Sequence, residues 1–127
     1  MNILILGDVV GPAGVKTVVE KLPGIIKEKK IDFVILNGEN AADGGVGITE
    51  KNTLDFFKAG ADVITSGNHI WDEKETAKFI TKEKRLLRPE NSLQPSPGQG
   101  MGIFQSKNKK KNCSYKFNGQ YFYEKVR

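Results

Sequence analysis

The sequence predicts an α/β fold built on a parallel sheet with flanking helices. Short continuous apolar runs, Ile3-Leu4-Ile5-Leu6, Phe33-Val34-Ile35-Leu36 and Val63-Ile64-Thr65, alternate with longer stretches of helical spacing. Such runs suit strands buried on both faces, as parallel strands are. Strand–helix alternation implies crossovers that are right-handed and return to one sheet. Each run also ends in glycine and polar residues, which places chemistry where open α/β sheets bind ligands, outside the carboxyl ends of their strands.

Ile3 to Leu6 begins almost at the first residue and stops at Gly7-Asp8. Gly11, Pro12 and Gly14 mark the turn out. Val18, Val19, Leu22, Ile25 and Ile26 then keep helical spacing within 15–30, and Pro23-Gly24 predicts a break or kink there. The second strand leads into Asn37-Gly38-Glu39-Asn40 and a glycine-rich loop, Asp43-Gly44-Gly45-Val46-Gly47. Thr49 is a candidate cap for a helix ending at Ala59, with Leu54, Phe56 and Phe57 facing inward and Gly60 as its stop. The third strand ends at Ser66-Gly67-Asn68-His69. A short helix over about 73–80, a short strand at Leu86-Leu87, a Pro/Gly/Ser-rich loop over 92–100 and a strand starting at Gly102-Ile103-Phe104 complete the reading. There is no internal repeat and no linker between two domains.

The chain has 127 residues, enough for one domain with a modest core. No segment reaches the roughly 18 apolar residues of a membrane span, and the start lacks the charged region of a signal peptide. The single Cys113 makes no internal disulfide, so a reducing cytoplasm is the expected compartment. The formal net charge of +5 is unevenly placed: residues 1–106 carry 13 basic and 14 acidic side chains, and 107–127 carry seven basic side chains and Glu124. The basicity belongs to the tail and not to a folded face, which argues against a nucleic-acid partner.

Brought to one rim, the three strand ends assemble Asp8, Glu39, Asn40, Asn68 and His69: two carboxylates, two amides and an imidazole. Oxygen-rich sets with imidazole suit Mg, Mn or Fe(II), and no thiolate cluster offers a structural zinc site. Glu39 has two oxygens with which to bridge two ions, the clamp used in phosphoryl chemistry. His69, the only histidine, has a reference pKa of about 6.5 and suits protonation of a leaving alkoxide near neutrality. Taken singly, each residue has an ordinary role: Asp8 a helix cap, the asparagines turn formers, Glu39 a solvated charge, His69 and Trp71 packing groups. Their joint placement at successive strand ends favours chemistry. Gly7-Asp8-Val9-Val10-Gly11-Pro12 does not fit a dinucleotide fingerprint, and no Walker A lysine pattern occurs.

These segments, Gly7-Asp8-Val9-Val10-Gly11, Asn37-Gly38-Glu39-Asn40-Ala41-Ala42, Gly45-Val46-Gly47-Ile48-Thr49 and Gly67-Asn68-His69-Ile70-Trp71-Asp72, resemble the YmdB-like branch of the calcineurin-like metallophosphoesterases. Arg88-Pro89-Glu90-Asn91 and Pro97-Gly98-Gln99-Gly100 extend the resemblance over residues 1–106. It implies an α/β/β/α sandwich, a dinuclear iron or manganese site with magnesium an option, and hydrolysis of phosphodiesters such as 2′,3′-cyclic nucleotides. Carried over by motif, Asp8 would bind the first metal, Glu39 would bridge both, Asn40 would join the first site and Asn68 the second. His69 would be the proton donor, and a metal-activated hydroxide would attack phosphorus.

Members of that family are considerably longer, and their second half adds metal-binding histidines absent here. The expected architecture is therefore a partial sandwich with its second half missing: residues 1–111 as the N-terminal half and 112–127 as a disordered basic tail. Where the family continues with an apolar strand, this chain reads Asn112-Cys113-Ser114-Tyr115-Lys116-Phe117. A/T-rich codons for that stretch, read one nucleotide over, give Ile-Ala-Val-Ile-Asn-Leu. Translation out of frame from about Asn112 is the resulting expectation, decided by the encoding DNA. An uncovered apolar face would favour aggregation or a homo-oligomer. The rival readings are a non-catalytic α/β fragment and an RNA-binding module using the tail.

Overall fold

The computed structural model describes residues 1–92, 95–106 and the backbone of 114–118. Strands β1 (Ile3–Leu6), β2 (Phe33–Asn37), β3 (Val63–Thr65) and β4 (Leu86–Leu87) form one sheet in the order β1-β2-β3-β4. All three pairings are parallel, with Ile3 opposite Phe33, Ile35 opposite Val63 and Ile64 opposite Leu86. Helices α1 (Gly11–Lys29), α2 (Glu50–Ala59) and α3 (Thr76–Phe79) lie in the connections, and a 3-10 turn spans Asn68–Trp71. Strand β5 (Met101–Gln105) pairs antiparallel with β6 (Ser114–Asn118) in a separate two-stranded sheet.

Neighbouring strands that follow one another in sequence, joined by crossovers of one hand, put every helix on the same face. The core shows this. Leu4, Leu6, Val34, Leu36, Ile64 and Leu86 pack with Val18, Leu22, Phe56, Ile70 and Phe79 on one side of the sheet. On the other side Phe33, Ile35, Val63 and Leu87 pack with Phe104 of β5. The central strands are buried on both faces, which explains their unbroken apolar runs. Edge strand β1 is not: Ile3 is 40% and Ile5 72% exposed.

Helix α1 runs unbroken through Pro23, against the break predicted at Pro23-Gly24. Pro23 and Gly24 are exposed, so the proline ring faces water and no core contact is lost. The helix carries its proline at the expense of one amide donor. Helix α2 begins as the sequence indicates. The Thr49 hydroxyl accepts from the Asn52 amide at 3.0 Å, and Asn52 Oδ1 accepts from the Thr49 amide at 3.1 Å, a reciprocal capping box. Gly60 ends the helix at φ +115°, where glycine avoids the Cβ penalty. Phe56 is fully buried and Phe57 half-buried, but Leu54 is 46% exposed and not inward-facing. The helix expected over 73–80 contracts to Thr76–Phe79, a single turn.

Within 112–127, the stretch expected to be a disordered tail, the backbone of 114–118 is the β6 partner of β5. The rest of that stretch lies outside the described residues. Among the described residues, no helix is long and apolar enough to cross a membrane.

Candidate active site

The sheet's hydrogen bonding continues past its strands and draws the first three carboxyl ends together. The Val9 amide donates to the Asn37 carbonyl at 3.1 Å, Gly11 to Asn40 at 2.8 Å and Gly38 to Thr65 at 3.1 Å. Val10 and Asn40 form an isolated parallel bridge. Because β1, β2 and β3 are neighbours, these loops sit side by side along one rim.

Asp8 and Asn40 meet directly: Asn40 Nδ2 donates to Asp8 Oδ2 at 2.7 Å. With its amide nitrogen so engaged, Asn40 has only its carbonyl oxygen left to coordinate anything. That oxygen, Oδ1, is buried and has no hydrogen-bond partner. Glu39 Oε2 is likewise buried and unpartnered. Burial pushes the Glu39 carboxyl above its ordinary range and the nearby Asp8 charge adds to this, while the His69 charge and backbone hydrogen bond pull it back. The Glu39 backbone is fixed by its amide donating to Asn37 Oδ1 at 3.2 Å.

Gly67 makes room for this carboxylate. A Cβ built at Gly67 would overlap the Glu39 carboxyl group. After Gly67 the chain enters the 3-10 turn, and the Ile70 amide donates back to the Gly67 carbonyl at 3.3 Å. Buried Ile70 and half-buried Trp71 anchor the turn in the helix-side core. Trp71 is thus the packing residue its sequence suggested. Asn68 is exposed at the start of the turn, placed by its neighbours Gly67 and His69. His69 Nδ1 lies 2.6 Å from Asp72 Oδ2.

The glycine-rich loop is tied down from the same direction. Gly47 has φ +84°, and a Cβ there would press on Glu73, at 3.2 Å from its backbone nitrogen. Thr76 Oγ1 donates to the Ile48 carbonyl at 2.8 Å. The loop is therefore a strut between α2 and the segment after His69.

The structure brings Asp8, Glu39, Asn40 and His69 within mutual influence and sets Asn68 in the same turn as His69. Asp72 is the addition. It stood in the quoted motif without a role, and the signal was its spacing of three from His69 on a tight turn. Among the described residues, no group of three or more His, Cys, Asp or Glu is arranged to hold a metal ion. Beside the acidic pair Asp8 and Glu39 lies one amide oxygen, Asn40 Oδ1, that is buried and without a hydrogen-bond partner.

Residues 4–127 match the family described as YmdB-like protein. The chain belongs to the YmdB-like family. It is 46% identical over 101 residues to the 2′,3′-cyclic-nucleotide 2′-phosphodiesterase of Bacillus subtilis (strain 168), covering 80% of this chain and 38% of that protein. Among solved structures, a hypothetical protein from Thermus thermophilus superposes with TM-score 0.75 at 35% identity, covering 83% of this chain and 40% of that one. A novel phosphatase from Mycoplasma pneumoniae superposes with TM-score 0.73 at 33% identity, covering 81% and 38% respectively. The chain thus spans about two fifths of the length of these relatives.

Proposed function

We propose that this chain carries part of a metal-dependent phosphodiesterase site acting on 2′,3′-cyclic nucleotides or related phosphodiesters. The observation that carries the reading is the pair of buried, unpartnered acceptors, Glu39 Oε2 and Asn40 Oδ1, beside Asp8. Buried polar atoms are nearly always satisfied, so two orphaned oxygens on adjacent residues call for a cationic partner. Oxygen donors of this kind suit hard divalent ions: manganese or iron(II), with magnesium an option. Asp8, Glu39, Asn40 and Asn68 would hold them, with Glu39 able to use both oxygens. When bound, the ions supply Lewis acidity, polarising phosphoryl oxygens and neutralising charge on the attacking and leaving oxygens. The substrate class is supported by the name of the Bacillus subtilis relative.

The chain's own residues do the rest. Asn40 holds Asp8 in place through its amide nitrogen and so fixes one carboxylate. Gly67 lets the Glu39 carboxyl sit deep enough to be desolvated, where its charge acts more strongly on a bound cation. His69 serves as proton donor to the leaving oxygen.

Metal analysis and a phosphodiesterase assay test this together. The wild-type chain should retain manganese or iron and hydrolyse bis-p-nitrophenyl phosphate, while Glu39→Gln should lose both. Equal metal content in the two would overturn the assignment. A second reading, a non-catalytic α/β fragment, is favoured by the absence, among the described residues, of any group of three or more His, Cys, Asp or Glu placed to hold a metal ion. It expects no hydrolysis even with added metal. The RNA-binding alternative rests on residues 107–127, whose side chains lie outside the described residues; it requires salt-sensitive RNA binding that disappears when those residues are removed.

A further inference from the structure

We propose that Asp72 is a positioning residue that fixes the tautomer and ring orientation of His69, so that Nε2 is the atom facing substrate. The inference rests on the reading of His69 as proton donor. Its basis is the contact between His69 Nδ1 and Asp72 Oδ2 at 2.6 Å. An ionised carboxylate only accepts, so the proton in that contact belongs to Nδ1. A carboxylate or carbonyl behind an imidazole is the usual device for setting which ring nitrogen does the work.

The turn geometry explains why these two residues meet. In a 3-10 turn, side chains three apart are eclipsed. His69 and Asp72 are three apart, and the Asp72 amide donates to the His69 carbonyl at 3.1 Å, closing the turn between them. The intervening residues, buried Ile70 and half-buried Trp71, pack into the core and hold the turn down. His69 and Asp72 therefore project from an anchored base. The other face of the same turn meets Glu39, through the Gly67 cradle and the His69 backbone hydrogen bond. One short turn thus seats the buried carboxylate and aims the imidazole.

In the hydrolytic step a water oxygen forms the new P–O bond as one ester P–O bond breaks. The departing oxygen keeps the bonding pair and takes the proton from Nε2. The ring is left as the neutral Nδ1–H imidazole, the form Asp72 holds. The proton lost by water passes to solvent, from which Nε2 is recharged.

Because the chain has a single histidine, long-range proton–nitrogen NMR reads its tautomer without ambiguity, on metal-free protein at a pH where the ring is neutral. The wild type should show the Nδ1–H form. Asp72→Ala should move the ring toward the Nε2–H form, and Asp72→Glu should restore the wild-type pattern. The same tautomer in wild type and Asp72→Ala overturns the proposal, whether or not the chain turns over substrate. In active protein, Asp72→Ala should lower turnover of a 2′,3′-cyclic nucleotide, with its poor alkoxide leaving group, by about tenfold or more. Bis-p-nitrophenyl phosphate, whose leaving group needs no proton, should be nearly unaffected. Equal loss on both substrates points to general damage and counts against positioning. His69→Gln controls for the underlying reading: if it shows no such split between substrates, the proton-donor role fails, while the NMR result still decides the role of Asp72 on the ring.

Discussion

Glu39 sits where an isolated carboxylate would be unfavourable: beside Asp8, with Oε2 buried and unpartnered. Its folded pKa lies above the unfolded value, so between the two the native state binds more protons than the unfolded chain. Stability then falls as pH rises through that window, and the full cost is present above the folded pKa. In metal-free protein, Glu39→Gln should therefore raise the melting temperature at neutral pH, and the gain should shrink as the wild type is acidified toward the ordinary carboxylate range. Melts of both proteins at several pH values in the presence of a chelator check this; a gain that is constant with pH would contradict it. Gly67 supplies the complementary case. A methyl group there overlaps the Glu39 carboxyl, so Gly67→Ala should displace it and abolish metal retention with little change in secondary structure. Metal analysis beside circular dichroism separates the two effects. The sequence pointed to both residues by type and place. It could not show that one fits against the other, because that contact joins the ends of two different strands.

At the scale of elements, the signals that came through are those whose physics is local. Thr49 caps α2 and Gly60 ends it because both act within a single turn of chain. Thr49→Ala should cost about 1 kcal/mol, the usual worth of an N-cap side chain. Chemical denaturation should show a lower midpoint with an unchanged slope. Pro23 shows the opposite. Its local rule predicts a break, yet α1 continues, because the exposed ring leaves the packing of Leu22 and Ile26 on the sheet undisturbed. Tertiary burial of one helix face outweighs the loss of one amide donor. Leu54 misleads for a related reason: its spacing suits a buried stripe, but the core takes Phe56 and leaves Leu54 in solvent.

Across the whole molecule, the helices cover one face of the sheet, and the other face is covered at its centre by Phe104. The flank of β1 is left bare, with Ile5 72% exposed, and Ile103 of β5 is 71% exposed. Exposed β-branched residues on an edge strand invite pairing with another chain. The wild-type chain should therefore self-associate at high concentration, and Ile5→Thr, which keeps strand propensity, should shift it toward monomer. Sedimentation velocity reads the difference, and a monomeric wild type would remove this expectation.

The strand–helix alternation, the parallel sheet, the capped second helix and the residue types of the site are all legible in the order of the residues. Each follows from burial of apolar runs or from turn chemistry within a few residues. The family is legible there too, through motifs that stand intact at three strand ends. Three other facts needed the folded chain: the described helices share one face, Glu39 Oε2 and Asn40 Oδ1 are buried without partners, and Asp72 stands behind His69. These depend on which strands are neighbours and how a turn is seated on the core. Asp8, Glu39, Asn40 and His69 come near one another, with Asn68 beside His69 in its turn, because β1, β2 and β3 lie side by side and end on the same rim.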